Sequence, residues 1–194
     1  RNKVHYSIMG TIRKDFKYKI IRNFLSKDEI DLLAIYTEIK HRLNNNKFDL
    51  TSNNNSANTS FYGDEVTDSI LLKYKEKMEY VTNKKLLPTY SYWRMYTYNS
   101  NLHKHTDRKA CEISVTINLA SDGTKFPIYM NGKSLNLNPG DGAVYLGCEV
   151  RHWRDKFKGD YHTNLFLHYV DALGPNKEEV MDKRRFWGTQ QSEI

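Results

Sequence analysis

The chain has 194 residues, 39% hydrophobic, 27% charged and 13% aromatic, enough for one domain with its own core and too apolar for a disordered or fibrous polymer. No run approaches the about 18 to 20 apolar residues of a membrane-spanning helix, which excludes that class. The formal charge of +7 favours anionic partners, from nucleic acid to acidic cosubstrates, without choosing among them.

The opening RNKVHYSIMG has no continuous apolar segment of the secretory kind, and its lack of an initiator Met leaves room for an upstream piece having been removed. Cys111 and Cys148 sit in or beside apolar runs, where a buried thiol serves as a small hydrophobe, so a reduced, cytoplasmic setting is expected.

Residues 11–25 begin basic and become apolar around Tyr18 to Phe24, enough for one short strand entering the domain. Ser26-Lys27-Asp28-Glu29 is a capping box, in which a Ser hydroxyl meets an exposed helical N–H and Glu29 reaches back to the cap. The helix it starts is expected over 27–41, with Ile30, Leu33, Ile35 and Ile39 on its buried side. Residues 43–60 replace apolar spacing with amides and hydroxyls that compete with the backbone, giving a solvated connection or an active-site flap. Val66, Ile70, Leu71, Tyr74 and Met78 then predict a second amphipathic helix over 64–80, its Met and aromatics being packing residues.

Beyond Pro88 the chain breaks into short aromatic or β-branched runs, TYSYWRMYTY, CEISVTINLA, KFPIYM, KSLNL, GAVYLG and HTNLFLHYV, separated by turn residues. The second half therefore reads as compact β-structure supported by the earlier helices, with PGDG at 139–142 a sharp turn. That turn is no phosphate loop, because no helix with a Lys-Ser/Thr pair follows it. No 20- to 50-residue repeat points to a solenoid or propeller.

NLHKHTDR at 101–108 is the segment richest in chemistry. His105 and Asp107 are two apart and project to one face of an extended strand, so one imidazole and one carboxylate can meet one metal or simply form a surface hydrogen-bonded pair. His152, in EVRHWRD after the GAVYLG strand, is a third donor that a folded barrel can bring beside them. Two histidines and one carboxylate leave several octahedral positions open on Fe(II), whereas a structural zinc site leaves none. His103 shares the same strand face and is a strand-end residue or an alternative ligand.

Four segments, YKIIRNFLSKDEI at 18–30, YSYWRMYTYNSNLHKHTD at 90–107, CEISVTINLA at 111–120 and PGDGAVYLGCEVRHWRDKFKGDYHTNLFLHYVD at 139–171, together resemble the iron(II)- and 2-oxoglutarate-dependent dioxygenases, in particular small prolyl-4-hydroxylase-like members. The resemblance implies a mainly β fold, a double-stranded β-helix or jelly roll supported by N-terminal α-helices. It implies one dioxygenase domain over 1–194, with helical support and a flexible loop over 18–84, the jelly-roll core over 88–171 and a C-terminal extension over 172–194. His105, Asp107 and His152 would carry iron, with 2-oxoglutarate as cosubstrate and molecular oxygen as oxidant.

Family members present Arg or Lys on the last strand to the remote carboxylate of 2-oxoglutarate, six residues before an aromatic. Here those positions hold His162 and His168, which is the main departure. An unperturbed imidazole is mostly neutral near pH 7, so His162 is either the cosubstrate contact or a packed residue. Tyr96 and Asn118, the latter beside Thr116, are further cosubstrate contacts or barrel packing, and Arg94, two residues from Tyr96, either compensates for the missing cation or sits at the rim. Trp153 and Arg154 either line the opening where substrate enters, or Trp153 packs against the early helices and Arg154 is a solvated or structural partner. Asn99 stands where related prolyl hydroxylases often carry Gly, and Asn tolerates the left-handed region.

The reaction implied is hydroxylation of an unactivated C–H bond, with a prolyl residue in a peptide or protein the best reading of the substrate. A polar small molecule or free amino acid, oxidative demethylation of nucleic acid, and a catalytically inactive barrel binding protein or nucleic acid are the alternatives. Because halogenases of this superfamily replace the iron-binding carboxylate with a small residue, Asp107 favours hydroxylation. A monomer or small homo-oligomer is expected.

Overall fold

A computed structural model of the chain describes residues 17–43 and 59–189. Strand β1 (Tyr18–Ile21) leads into helix α1 (Lys27–Leu43), and β2 (Thr59–Tyr62) precedes helices α2 (Glu65–Lys73) and α3 (Lys75–Thr82). The remaining strands are β3 (Leu86–Thr97), β4 (Leu102–His105), β5 (Ile113–Ser121), β6 (Ile128–Met130), β7 (Lys133–Leu135), β8 (Gly142–Leu146), β9 (His152–Arg154) and β10 (Tyr161–Asp171). They form a six-stranded sheet in the order β1-β8-β5-β10-β3-β2 and a four-stranded sheet in the order β4-β9-β6-β7, with antiparallel pairing throughout. No helix among the described residues is long and apolar enough to cross a membrane.

The large sheet is buried on both faces, and strand alternation gives each face its own chemistry. Trp93 and Met95 of β3, Val115 and Ile117 of β5, and Leu165 and Leu167 of β10 turn to one side, where they form the main core with Phe24, Leu33, Leu71 and Met78 of the helical layer. The intervening residues Arg94, Tyr96, Thr116, Asn118, His162 and Asn164 face the small sheet, and cross-strand register sets His162 beside Tyr96 and Asn164 beside both Arg94 and Asn118. The main core thus lies between helices and large sheet, and between the sheets polar side chains share the interior with two smaller apolar clusters, Ile128, Met130, Ala143, Tyr145 and Val150 in one and Tyr96, Phe126 and Phe157 in the other.

The capping box forms as the sequence predicts: Ser26 N–H donates to Glu29 Oε2 at 2.9 Å and Glu29 N–H to Ser26 Oγ at 3.3 Å. The buried face of α1 differs from expectation. Leu33 and Thr37 are buried with Ile30 packed beside them, whereas Ile35 and Ile39 are 60% and 53% exposed. At 100° per residue, 30, 33 and 37 share one stripe, and 35 and 39 fall on the far side. The helix expected over 64–80 is divided at Tyr74 (φ −90°, ψ 2°), whose ring stacks on Phe24 and whose hydroxyl donates to Glu29.

Within the span read as a loop, β2 pairs with β3; residues 44–58, which hold the rest of it, lie outside the described residues. Gly140 of the 139–142 turn sits at φ 88°, and a Cβ there would meet Ile30 Cδ1 at 2.3 Å, so the turn packs directly on α1. Asn99 adopts φ 65°.

Candidate metal centre

Three short-range features build the site. β4 and β9 are neighbours in the small sheet with His105 opposite His152 in register, so their rings lie 4.3 Å apart, centroid to centroid. The chain then leaves β4 and is caught by the residue that follows β8: Asp107 N–H donates to Gly147 O at 2.8 Å, and Gly147 N–H to Glu112 O at 2.9 Å. Gly147 leaves room for this approach, because a Cβ there would stand 2.1 Å from Cys111 O and 2.5 Å from Asp107 Oδ2.

The outcome is one cluster, in which a donor atom from each of His105, Asp107 and His152 lies within 4.8 Å of the others. His105 Nε2 and His152 Nε2 are 3.3 and 3.5 Å from Asp107 Oδ1. The other ring nitrogens settle the tautomers. His105 Nδ1 lies 2.7 Å from His103 O and His152 Nδ1 2.9 Å from Val150 O. A carbonyl only accepts, so each Nδ1 carries its hydrogen and each Nε2 turns a lone pair toward the carboxylate. Asp107 Oδ2 is buried with no hydrogen-bond partner. Two lone pairs and a carboxylate converging on one point, with a carboxylate oxygen left over, are the donor set of a divalent cation, and two nitrogens with one oxygen on one side suit Fe(II) with open positions.

Without a cation the same convergence favours charge pairing: a protonated His105 donates from Nε2 to Asp107, which raises its pKa, while burial lowers that of His152. Burial pushes the Asp107 carboxyl up, but that hydrogen bond and the neighbouring imidazoles outweigh it and hold the group below its usual range. Tyr145, wholly buried with its ring 4.9 Å from that of His152, is raised well above an ordinary phenol by burial and then by the Asp107 charge.

His103 is exposed and serves through its backbone carbonyl. Trp153 and Arg154 do not share an opening, because adjacent residues on a strand face opposite ways. Trp153 turns away from His152, stacks on Tyr129 at 5.1 Å and lies under the Lys104 ammonium. Arg154 turns inward and is 2% exposed, which corrects the expectation of a rim residue. Its guanidinium rests on the rings of Phe126 and Tyr96, 4.8 and 5.9 Å from their centroids, and it donates to Phe126 O.

Tyr96, Arg94, Asn118 and His162 all reach the same interior. Asn118 donates to Leu137 O at 2.8 Å. His162 is packed edge-on to Phe126 and Phe157, and burial followed by the Arg154 charge lowers its pKa to about 3, so it is neutral at pH 7. Asn164 and Asp122 pull the other way without offsetting this. The spacing of two between His152 and Arg154 puts both residues on one strand face, the signal in the sequence for an inward Arg154. Sequence reasoning did not single out Tyr145, whose place beside the cluster depends on β5–β8 pairing.

No protein-family model matches the chain, and neither does any curated protein. Solved structures do. The viral collagen prolyl hydroxylase of Paramecium Bursaria Chlorella virus-1, in complex with 2-oxoglutarate, superposes with a TM-score of 0.61 at 15% identity, over 80% of this chain and 96% of that one. A Pseudomonas putida prolyl-4-hydroxylase gives 0.61 at 15% identity, over 80% and 92%. The epimerase SnoN, in complex with Fe3+, alpha-ketoglutarate and nogalamycin RO, gives 0.68 at 10% identity, over 90% and 88%. The chain has the double-stranded β-helix fold of the 2-oxoglutarate/iron(II) oxygenases. Within that oxygenase fold, the His105–Asp107–His152 cluster bridges β4, the chain following it and β9 of the small sheet.

Proposed function

We propose that the protein is an Fe(II)- and 2-oxoglutarate-dependent dioxygenase that hydroxylates an unactivated C–H bond. The observation that carries this reading is the convergence of His105 Nε2, His152 Nε2 and the Asp107 carboxylate, with both Nδ1 hydrogens engaged by carbonyls. Iron bound there with 2-oxoglutarate supplies the oxidising power for the C–H bond.

The chain's own residues do the rest. Val150 O and His103 O hold the imidazoles in the tautomer that binds metal. The Gly147 and Asp107 backbones clamp the carboxylate between β4 and β8, and a carboxylate at 107 occupies the position that a halide needs in halogenases. No side-chain nucleophile is required.

A prolyl residue in a peptide or protein is the substrate reading that follows from the two prolyl hydroxylases above, which this chain covers to 96% and 92% of their length. A polar small molecule is the second reading, supported by the higher TM-score with SnoN, whose structure holds nogalamycin RO. Aerobic turnover of peptide and small-molecule libraries by the Fe(II)-loaded protein with 2-oxoglutarate, followed by mass spectrometry, tests both. A product heavier by one oxygen, formed only with iron and 2-oxoglutarate, is expected. Oxygenation that persists without 2-oxoglutarate would refute the assignment.

A further inference from the structure

Two guanidinium groups lie buried between the sheets. Arg94 is 5% and Arg154 2% exposed, and neither makes an ion pair with a carboxylate among the described residues. Arg94 Nε and Nη2 and Arg154 Nε are buried donors with no hydrogen-bond partner. Both groups lie against the Tyr96 ring, at 4.6 and 5.9 Å from its centroid. By contrast, the buried Arg184 spends its guanidinium on Asp68, Thr89 O and Thr189 O. A buried cation without a counter-charge is costly, and a guanidinium is shaped for a planar carboxylate, so a pair of them facing one chamber marks an anion site.

The position of this pair defines the anion. Arg154 is two residues beyond His152 on the same face of β9, an offset of roughly 7 Å along the strand. A ligand that chelates a metal at His152 with a 2-oxo acid and reaches Arg154 with a second carboxylate is a 2-oxo diacid of about five carbons. Beside Arg94 the chamber wall adds the Asn164 amide, whose Oδ1 has no partner; its Nδ2 is bonded only to the Thr116 hydroxyl, which can donate as well as accept, so turning this amide offers an N–H to the same carboxylate.

Resting on the function proposed above, we infer that Arg154 and Arg94 together bind the remote carboxylate of the 2-oxo acid cosubstrate. The last-strand position, filled by His162, instead contributes a neutral wall packed on Phe126 and Phe157. Burial, with the neighbouring guanidinium, keeps this ring neutral, and the guanidinium supplies the cation in its place.

The test separates this assignment from the function itself. Under anaerobic conditions the Fe(II)-loaded protein is titrated with 2-oxoglutarate and with 2-oxopentanoate, which has the same carbon number but no second carboxylate. Affinity is read by calorimetry and by the visible charge-transfer absorption of the chelate. Wild type is expected to prefer 2-oxoglutarate. Arg154→Met and Arg94→Met are each expected to weaken 2-oxoglutarate by about 10- to 150-fold, as for a lost charged hydrogen bond, with 2-oxopentanoate unchanged, so that the preference collapses. Arg154→Lys and Arg94→Lys keep the charge without the fork and serve as further variants should the Met forms fail to fold; each is expected to retain part of the preference. His162→Leu is expected to keep it. An undiminished preference in the arginine variants, or its loss in His162→Leu, overturns the assignment, whereas wild type that chelates neither acid refutes the oxygenase reading itself.

Discussion

Gly147→Ala is the most informative single perturbation of the metal centre, because it changes no ligand. The added methyl would lie 2.1 Å from Cys111 O, 2.5 Å from Asp107 Oδ2 and 3.1 Å from Asp107 Cβ. Two of these are far inside van der Waals contact, and the first is to backbone that a side-chain rotation cannot relieve. Either the segment around Cys111 or the Asp107 backbone, held to Gly147 O at 2.8 Å, has to move. Overpacking of this kind costs about 1–3 kcal/mol of stability, and displacing a group that orients a ligand typically costs about 10- to 100-fold in metal affinity. Fe(II) or Mn(II) affinity by anaerobic calorimetry, beside thermal unfolding of the metal-free protein, measures both effects. A folded Gly147→Ala protein that binds metal as tightly as wild type would refute the idea that the β4–β8 clamp positions Asp107.

Two predictions concern the frame. Asp68 accepts from Ser91 N–H at 3.1 Å, Ser91 Oγ at 2.8 Å, Arg184 Nη1 at 2.8 Å and Gly188 N–H at 2.9 Å, all buried or nearly so. Asp68→Ala strands the Arg184 charge and is expected to destabilise by about 3–5 kcal/mol in denaturant unfolding; a loss below 1 kcal/mol, on the order of a surface pair, would contradict that. Glu29 has its folded pKa lowered to about 2, where burial opposes the shift and hydrogen bonds from Lys73, Tyr74 and Ser26 overcome it. Because the folded value lies below the ordinary carboxyl value of 4.5, its contribution is full above that value and is lost as pH falls toward 2. Glu29→Gln should therefore be less stable than wild type at neutral pH, with the gap narrowing across that window; a gap independent of pH would count against it.

Much of this was legible from residue order. The capping box at Ser26 and Glu29 is local, and local chemistry decides it. The β-rich half shows in its short apolar runs, and the spacing of His105 and Asp107 already places two donors on one side. What escaped depends on contacts between distant segments. Ile35 and Ile39 look like core by hydropathy, yet only the helical angle relative to Leu33 and Thr37 tells which stripe meets the sheet. The break at Tyr74 arises from Phe24 and Glu29, some 45 to 50 positions away in the chain. His162 has an unremarkable local sequence; its neutrality comes from Phe126, Phe157 and Arg154, which only the closed barrel gathers. Arg154 was misplaced at the rim because a three-residue strand gives too little pattern to show which face is inward.

The account rests on one iron centre made by His105, Asp107 and His152. The most direct test is anaerobic addition of Fe(II), then 2-oxoglutarate, to the purified protein and to His152→Ala, following the visible charge-transfer absorption. Wild type is predicted to develop the band with one iron per chain and only when both components are present, and His152→Ala to lose it while remaining folded. A band of equal strength in the variant, or none in wild type, would contradict the central claim.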